Sequence, residues 1–152
     1  MADFAVEDYA TVRQEAEALA VAHWQETEAA MYGEQAGVPI TDAAWENMAA
    51  LGLLHIVTAR EAGALVGYAV FVLAENINMP GRVQASNLAL YLAPTVRGDP
   101  FLAVKILRWA EGSLRGRGVA SVAYISPVSR PCDALYRRLG AVMTETTWHK
   151  EL

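Results

Sequence analysis

Residues 65–73 read LVGYAVFVL, and this run limits what the chain can fold into more than any other. A β-strand points successive side chains to opposite faces. Here Val66, Tyr68, Val70 and Val72 make one face apolar, and Leu65, Ala69, Phe71 and Leu73 make the other apolar as well. A strand of that kind is covered on both sides, so the sheet that holds it is a middle layer with other elements above and below. The preceding apolar run, residues 53–58, is separated from it by Ala59-Arg60-Glu61-Ala62-Gly63-Ala64. The two runs read as an antiparallel hairpin.

Residues 11–31 have helical periodicity, with Ala16, Ala20, Trp24, Thr27 and Met31 along one face. Gly33, Gly37 and Pro39 interrupt it, and Thr41 or Asp42 can cap a short helix around Trp45 and Met48 that stops at Gly52. After a loop over residues 76–84, residues 88–92 form a strand that ends before Pro94. Asp99 and Pro100 then open a helix reaching Gly116, with Leu102, Ala103, Ile106, Leu107, Trp109, Ala110 and Leu114 on its buried face. A strand over 119–125, a short helix over 131–139 and a last strand over 142–149 complete the chain. The fold class is α/β (α+β), with a mixed, mostly antiparallel sheet flanked by helices. Residues 1–152 are expected to form a single domain.

Composition excludes several classes. A chain with 54% hydrophobic and 19% charged residues is globular rather than disordered. Cys132 is the single cysteine, which removes a disulfide framework and a cysteine metal site and makes the cytoplasm the expected compartment. The start MADFAVEDYA lacks the basic residues of a signal peptide, and no apolar run has membrane-spanning length. A net charge of −5 argues against nucleic acid as a partner. Arg97, Lys105, Arg108, Arg115, Arg117, Arg130, Arg137 and Arg138 nevertheless gather positive charge late in the chain, which suits a small polyanion. Lys105, Arg108 and Arg115 also recur at helical spacing and fit a solvated helix face. His23, His55 and His149 have no metal-ligand spacing, so no metal is expected. His55, inside an apolar run, reads as a core histidine.

Residues 135–140, LYRRLG, followed by Ala141, close a helix that runs toward the last predicted strand. A Leu-Tyr-x-x-x-Gly helix end in this place resembles the closing segment of the GNAT superfamily of N-acetyltransferases, small phage-type members included. The order of elements extends the resemblance over most of the chain. It implies an acetyl-CoA-dependent N-acetyltransferase in which an amine of a small molecule or protein attacks the thioester directly. Tyr136 is then the acid that protonates the departing thiolate. Glu75, at a strand end, is the candidate base, directly or through water, and a solvated strand-end residue is its other reading. The main-chain groups of Leu90 and Leu92 would pair with the pantetheine arm as an added strand would. The pyrophosphate would sit on helix-start amides in the segment that contains Arg97, Gly98, Leu102 and Ala103.

The family's loop pattern is Q/R-x-x-G-x-G/A. Arg97 takes its first place, but Pro100 and Leu102 stand at the two small positions, and Asp99 adds a negative charge. A slip of one residue puts Ala103 at the final small position. Before the last helix Ser129 replaces the family's frequent Asn, as a helix cap or a pantetheine donor, and Ala141 replaces a frequent Phe. These departures keep a second reading open, a catalytically inactive GNAT-fold binding or structural module. A longer acyl-CoA donor is a third. The resemblance places the acceptor between residues 31–42 and 76–84 and allows a homodimer.

Overall fold

The computed structural model describes residues 1–32, 43–150 and 152. The expected caps Thr41 and Asp42 and most of the 31–42 acceptor segment lie outside the described residues. The elements are β1 (Asp3–Val6), α1 (Tyr9–His23), which runs through a π-helical turn (Trp24–Glu28) into α2 (Ala29–Tyr32), α3 (Ala43–Ala50), β2 (Leu54–Glu61), β3 (Ala64–Glu75), β4 (Val83–Leu92), a 3₁₀ turn (Pro94–Val96), α4 (Leu102–Gly116), β5 (Val119–Ala123) and α5 (Asp133–Arg138). Among the described residues five strands form one sheet in the order β1-β2-β3-β4-β5. Pairing is antiparallel as far as β4 and parallel between β4 and β5.

β3 is covered on both faces, as its sequence requires. On one side Phe71, Leu73, Val57, Ala59, Ala69 and Ala85 meet Ile106, Leu107, Ala110 and Leu114 of α4 and Tyr136 of α5. On the other, Tyr68, Val70, Ile56 and Tyr91 meet Tyr9 and Val12 of α1, and Trp45 of α3 stacks on Tyr9 at 6.1 Å. Phe71 is fully buried, and a side chain of that size contributes roughly 1.5–3 kcal/mol through burial.

Polar contacts fix how the helices sit. Arg60 on β2 reaches Glu7, just after β1, and Glu15 on α1, at 2.7 and 2.9 Å. Arg117, beyond α4, donates to Leu54 O and Gly52 O at 3.0 Å each and so binds that helix end to the start of β2. Its Nη1 also lies 3.3 Å from Nδ1 of His55, whose Nε2 meets Ser113 Oγ at 2.8 Å. The serine hydroxyl donates to Ala110 O, so it accepts the Nε2 proton, and Nδ1 faces the guanidinium unprotonated. His55 is thus a core histidine with both ring nitrogens used.

Four sequence expectations change. β1 is an additional strand, missed because four mostly exposed residues carry no period of their own and gain order only by pairing with β2. β4 begins at Val83 rather than Leu88, because the long β3 beside it supplies partners for residues with weak strand preference. Trp109 lies on the rim of α4, 37% exposed, instead of in the core. Residues 142–149 form no strand, since none of them pairs with β5 or any other strand.

Gly67 marks a close approach between β3 and β4. A Cβ there would stand 2.5 Å from Leu92 Cδ2 and 2.7 Å from the backbone oxygen of Tyr91. Gly67→Ala is therefore expected to cost about 1–3 kcal/mol and to lower the melting temperature by several degrees in a calorimetric scan.

Candidate active site

β4 and β5 pair only from Val83↔Val119 to Ser86↔Ala123. β4 continues to Leu92 beyond its last pairing with β5, so the two open into a wedge, and the edge of β4 facing it has no strand partner among the described residues. Just past the point where the two strands part, β4 bulges. Val70 pairs with Ala89 and Phe71 with Asn87, leaving Leu88 as the extra residue, 45% exposed. The buried Asn87 side chain supports the bulge by donating to Val70 O at 3.3 Å and Ala89 O at 3.0 Å. Such a bulge takes a residue out of the ladder and re-aims its backbone.

Tyr136 stands on the β5 side of the wedge. Its hydroxyl donates to Ile125 O at 2.8 Å, and its ring stacks on Tyr124 at 4.7 Å and 16°. Burial is the main cause that pushes its phenol well above the ordinary range, so it keeps its proton. α5, which carries it, is held at both ends. Ser126 Oγ accepts from Cys132 N at 2.9 Å and donates to Asp133, while Gly140 takes a left-handed φ of 88° and Ala141 N donates back to Tyr136 O. Ser126 therefore ties the approach to α5, which has no side-chain cap at its start. Ser129 instead donates to Thr27 O at 2.8 Å, across the wedge.

That bond belongs to a clamp the sequence did not reveal. Glu26, in the π-helical turn, accepts from Tyr91 Oη at 2.7 Å and Arg97 at 2.8 Å, and pairs with Arg130. Arg97 also donates through Nε to Leu92 O at 2.8 Å and lies 5.2 Å above the Tyr91 ring. Because Ala93 N bonds Val66 O on the β3 side, the planar peptide turns Leu92 O toward the wedge. Arg97 thus covers the main-chain group expected to receive pantetheine. The Tyr91 hydrogen bond, then those of the two arginines, hold the Glu26 carboxyl below the usual range. Beside the clamp His23 Nδ1 lies 3.1 Å from Tyr68 Oη, and its ring stacks on Tyr91 at 5.0 Å. Burial raises the nearby Glu28 carboxyl.

The other expected residues fall into two groups. Leu102 turns inward, 4% exposed, against Ala93 and Val96, and a Cβ on Gly98 would meet nothing within 4 Å. The outer approach to the start of α4 past Gly98 and Ala103 is therefore not filled by Leu102. Asp99 occupies it instead, accepting from Phe101 N at 2.8 Å and pairing with Lys105 at 2.7 Å. Glu75 lies at the closed end of β4, opposite Val83, where it accepts from Gly81 N at 2.6 Å. Four residues of strand, about 13 Å, separate that pairing position from Asn87 and the bulge. The structure does not bring Glu75 to the wedge. Among the described residues no cluster of metal-ligating side chains occurs, and no helix is long and apolar enough to cross a membrane.

No family model matches the chain, and no curated protein matches it by sequence. Solved structures do match. A ribosomal-protein-alanine N-acetyltransferase from Brucella melitensis biovar Abortus 2308 is similar over 100% of this chain and 99% of its own, with 18% identity and a TM-score of 0.75. An aminoglycoside acetyltransferase from an uncultured soil metagenomic sample gives 15% identity, coverage of 100% and 99%, and a TM-score of 0.74. A predicted acetyltransferase with acetyl-CoA from Clostridium acetobutylicum gives 15%, 99% and 96%, and 0.70. The chain has the GNAT fold, a mixed, mostly antiparallel sheet flanked by helices.

Burial lowers His23 and His55 from the ordinary 6.5 to about 4, and Arg117 adds to the effect at His55. Between those values the unfolded chain binds protons that the fold refuses. The stabilisation is complete above pH 6.5 and drains as pH falls toward 4, with a limit of roughly 3 kcal/mol at the buried His55. Urea midpoints measured across this window should fall steadily, and His55→Gln should flatten the slope.

Proposed function

We propose that this chain transfers an acetyl group from acetyl-CoA to an amine of a small molecule or protein. The observation that carries this reading is the wedge in a GNAT fold: a free β4 edge over residues 87–92, a bulge at Leu88, and a protonated phenol at Tyr136 beside it. Solved structures of similar fold include one bound to acetyl-CoA, which supports the choice of donor.

In this reading pantetheine pairs with the main chain of Leu90 and Leu92. Arg97 must first leave Leu92 O, and its guanidinium then becomes available to the pyrophosphate beside Gly98 and Ala103. Ser129, released from Thr27 O, is placed for a pantetheine contact. The neutral amine attacks the thioester carbonyl, and the re-aimed backbone at Leu88 supplies an N–H toward the oxyanion. When the carbon–sulfur bond breaks, Tyr136 gives its proton to the thiolate and regains one from water, which takes up the amine's surplus proton. This reading assigns Glu75 no part in the step, since its carboxylate accepts from Gly81 N in the β3–β4 turn.

One observation favours the second reading, an inactive binding module: Asp99 already sits on the amide of Phe101, where a phosphate would bind. Calorimetric titration with acetyl-CoA separates the two. Micromolar binding that weakens at least tenfold in a normally folded Arg97→Glu variant supports transfer. Absence of binding to acetyl-CoA and to longer acyl-CoAs supports the closed module. If transfer occurs, Tyr136→Phe is expected to lower kcat by about 10²-fold or more while leaving donor affinity unchanged.

A further inference from the structure

Arg97 follows β4 and Arg130 follows β5, the two strands that bound the wedge. One carboxylate joins them. Glu26 Oε2 accepts from Arg97 Nη2 at 2.8 Å and pairs with Arg130 Nη1, while Oε1 accepts from Tyr91 Oη at 2.7 Å. Two guanidiniums converging on one anionic group suit a phosphate as well as a carboxylate. Two positive charges around a single negative one also leave a surplus of positive charge. A ligand with several negative charges satisfies both arginines better than Glu26 does.

The element that carries Glu26 is irregular. α1 passes into α2 through the π-helical turn Trp24–Glu28, a kind of turn frequent at functional positions. Within it Trp24 Nε1 is buried with no hydrogen-bond partner among the described residues, a cost that the closed arrangement carries. The same turn is tied to the far wall of the wedge by the bond from Ser129 Oγ to Thr27 O. The ion pairs themselves are open to water, with side-chain exposures of 29% for Glu26, 30% for Arg97 and 48% for Arg130. Pairs of that kind hold weakly, and a competing anion reaches them without unpacking the core.

We infer that Glu26 is an internal latch on the wedge: its carboxylate holds the two arginines that the diphosphate of acetyl-CoA takes over when the donor binds. The inference rests on the acetyl-CoA reading and adds to it the control of donor entry. While Glu26 holds Nη2 of Arg97, Nε of the same guanidinium covers Leu92 O. A diphosphate that draws Arg97 and Arg130 to itself uncovers that oxygen and leaves the π-helical turn free to withdraw. Donor affinity is reduced by the fraction of molecules in which the latch is closed. Removing the Glu26 charge therefore tightens binding, whereas removing a merely structural contact would weaken the site.

The test is calorimetric titration of acetyl-CoA into the parent, Glu26→Gln, Glu26→Asp and Glu17→Gln. Glutamine keeps an oxygen for the Tyr91 hydroxyl but removes the charge, aspartate keeps the charge on a shorter arm, and Glu17, an exposed residue of α1, controls for net charge. The expected result is a dissociation constant about tenfold lower for Glu26→Gln, a smaller gain for Glu26→Asp and none for Glu17→Gln. Melting temperatures should stay within a few degrees of the parent. Adding Arg130→Gln to Glu26→Gln should reverse the gain. If the parent binds acetyl-CoA and neither Glu26 variant binds it more tightly, the latch is overturned and the donor reading stands. An equal gain in Glu17→Gln overturns the latch too, since net charge then suffices. If inorganic pyrophosphate binds Glu26→Gln more tightly than the parent while acetyl-CoA binds neither, the latch stands and the donor reading falls. A gain with neither probe overturns the latch.

Discussion

A strand buried on both faces imposes obligations on everything around it. β3 has apolar side chains above and below, so a helix on one side alone would leave half of it wet. α4 meets one obligation with Ile106, Leu107, Ala110 and Leu114, and α1 with α3 meets the other through Tyr9, Val12 and Trp45. The sheet is thus fixed as a middle layer before any chemistry is considered. β4 is placed by pairing with β3, and Gly67 lets the two backbones approach where a side chain would keep them apart.

From that fixed centre the wedge follows by subtraction. β4 runs the length of its long neighbour, but β5 spans only five residues and shares four pairings with it. The part of β4 beyond Ser86 has a free edge, closed not by another strand but by side chains reaching from the first helix. Glu26 is the centre of that closure, with Tyr91, Arg97 and Arg130 around it. Its ion pairs are partly solvated, and pairs of that kind contribute about 1 kcal/mol or less each. The wedge is closed by contacts far weaker than the core beside it, so it can open without disturbing β3 or α4.

The parts legible in the sequence carry their own periodicity. Both faces of β3, the stripe of α4 and the helix that ends at Gly140 announce themselves through spacing and caps. The clamp does not, because Glu26 and Tyr91 are 65 positions apart and each looks like an ordinary residue on its own element. Ser129 reads as a helix cap or a pantetheine donor, and its bond to Thr27 O, 102 positions away, has no local signal. Residues 142–149 show the opposite failure. Their pattern reads clearly as a strand, but a strand is a relation between two segments, and pattern alone cannot supply the second.

Asp99 gives the start of α4 a resident anion. A carboxylate tethered two residues from the amide it occupies acts at an effective concentration of about millimolar or more, however dilute the solution. Any visiting ligand competes against that fixed opponent. A singly charged ligand at lower concentration gains nothing that Asp99 does not already provide, and Lys105, paired with Asp99, is not free to add to its binding. An anion approaching this helix start would therefore meet a threshold set by covalent attachment rather than by the shape of a pocket.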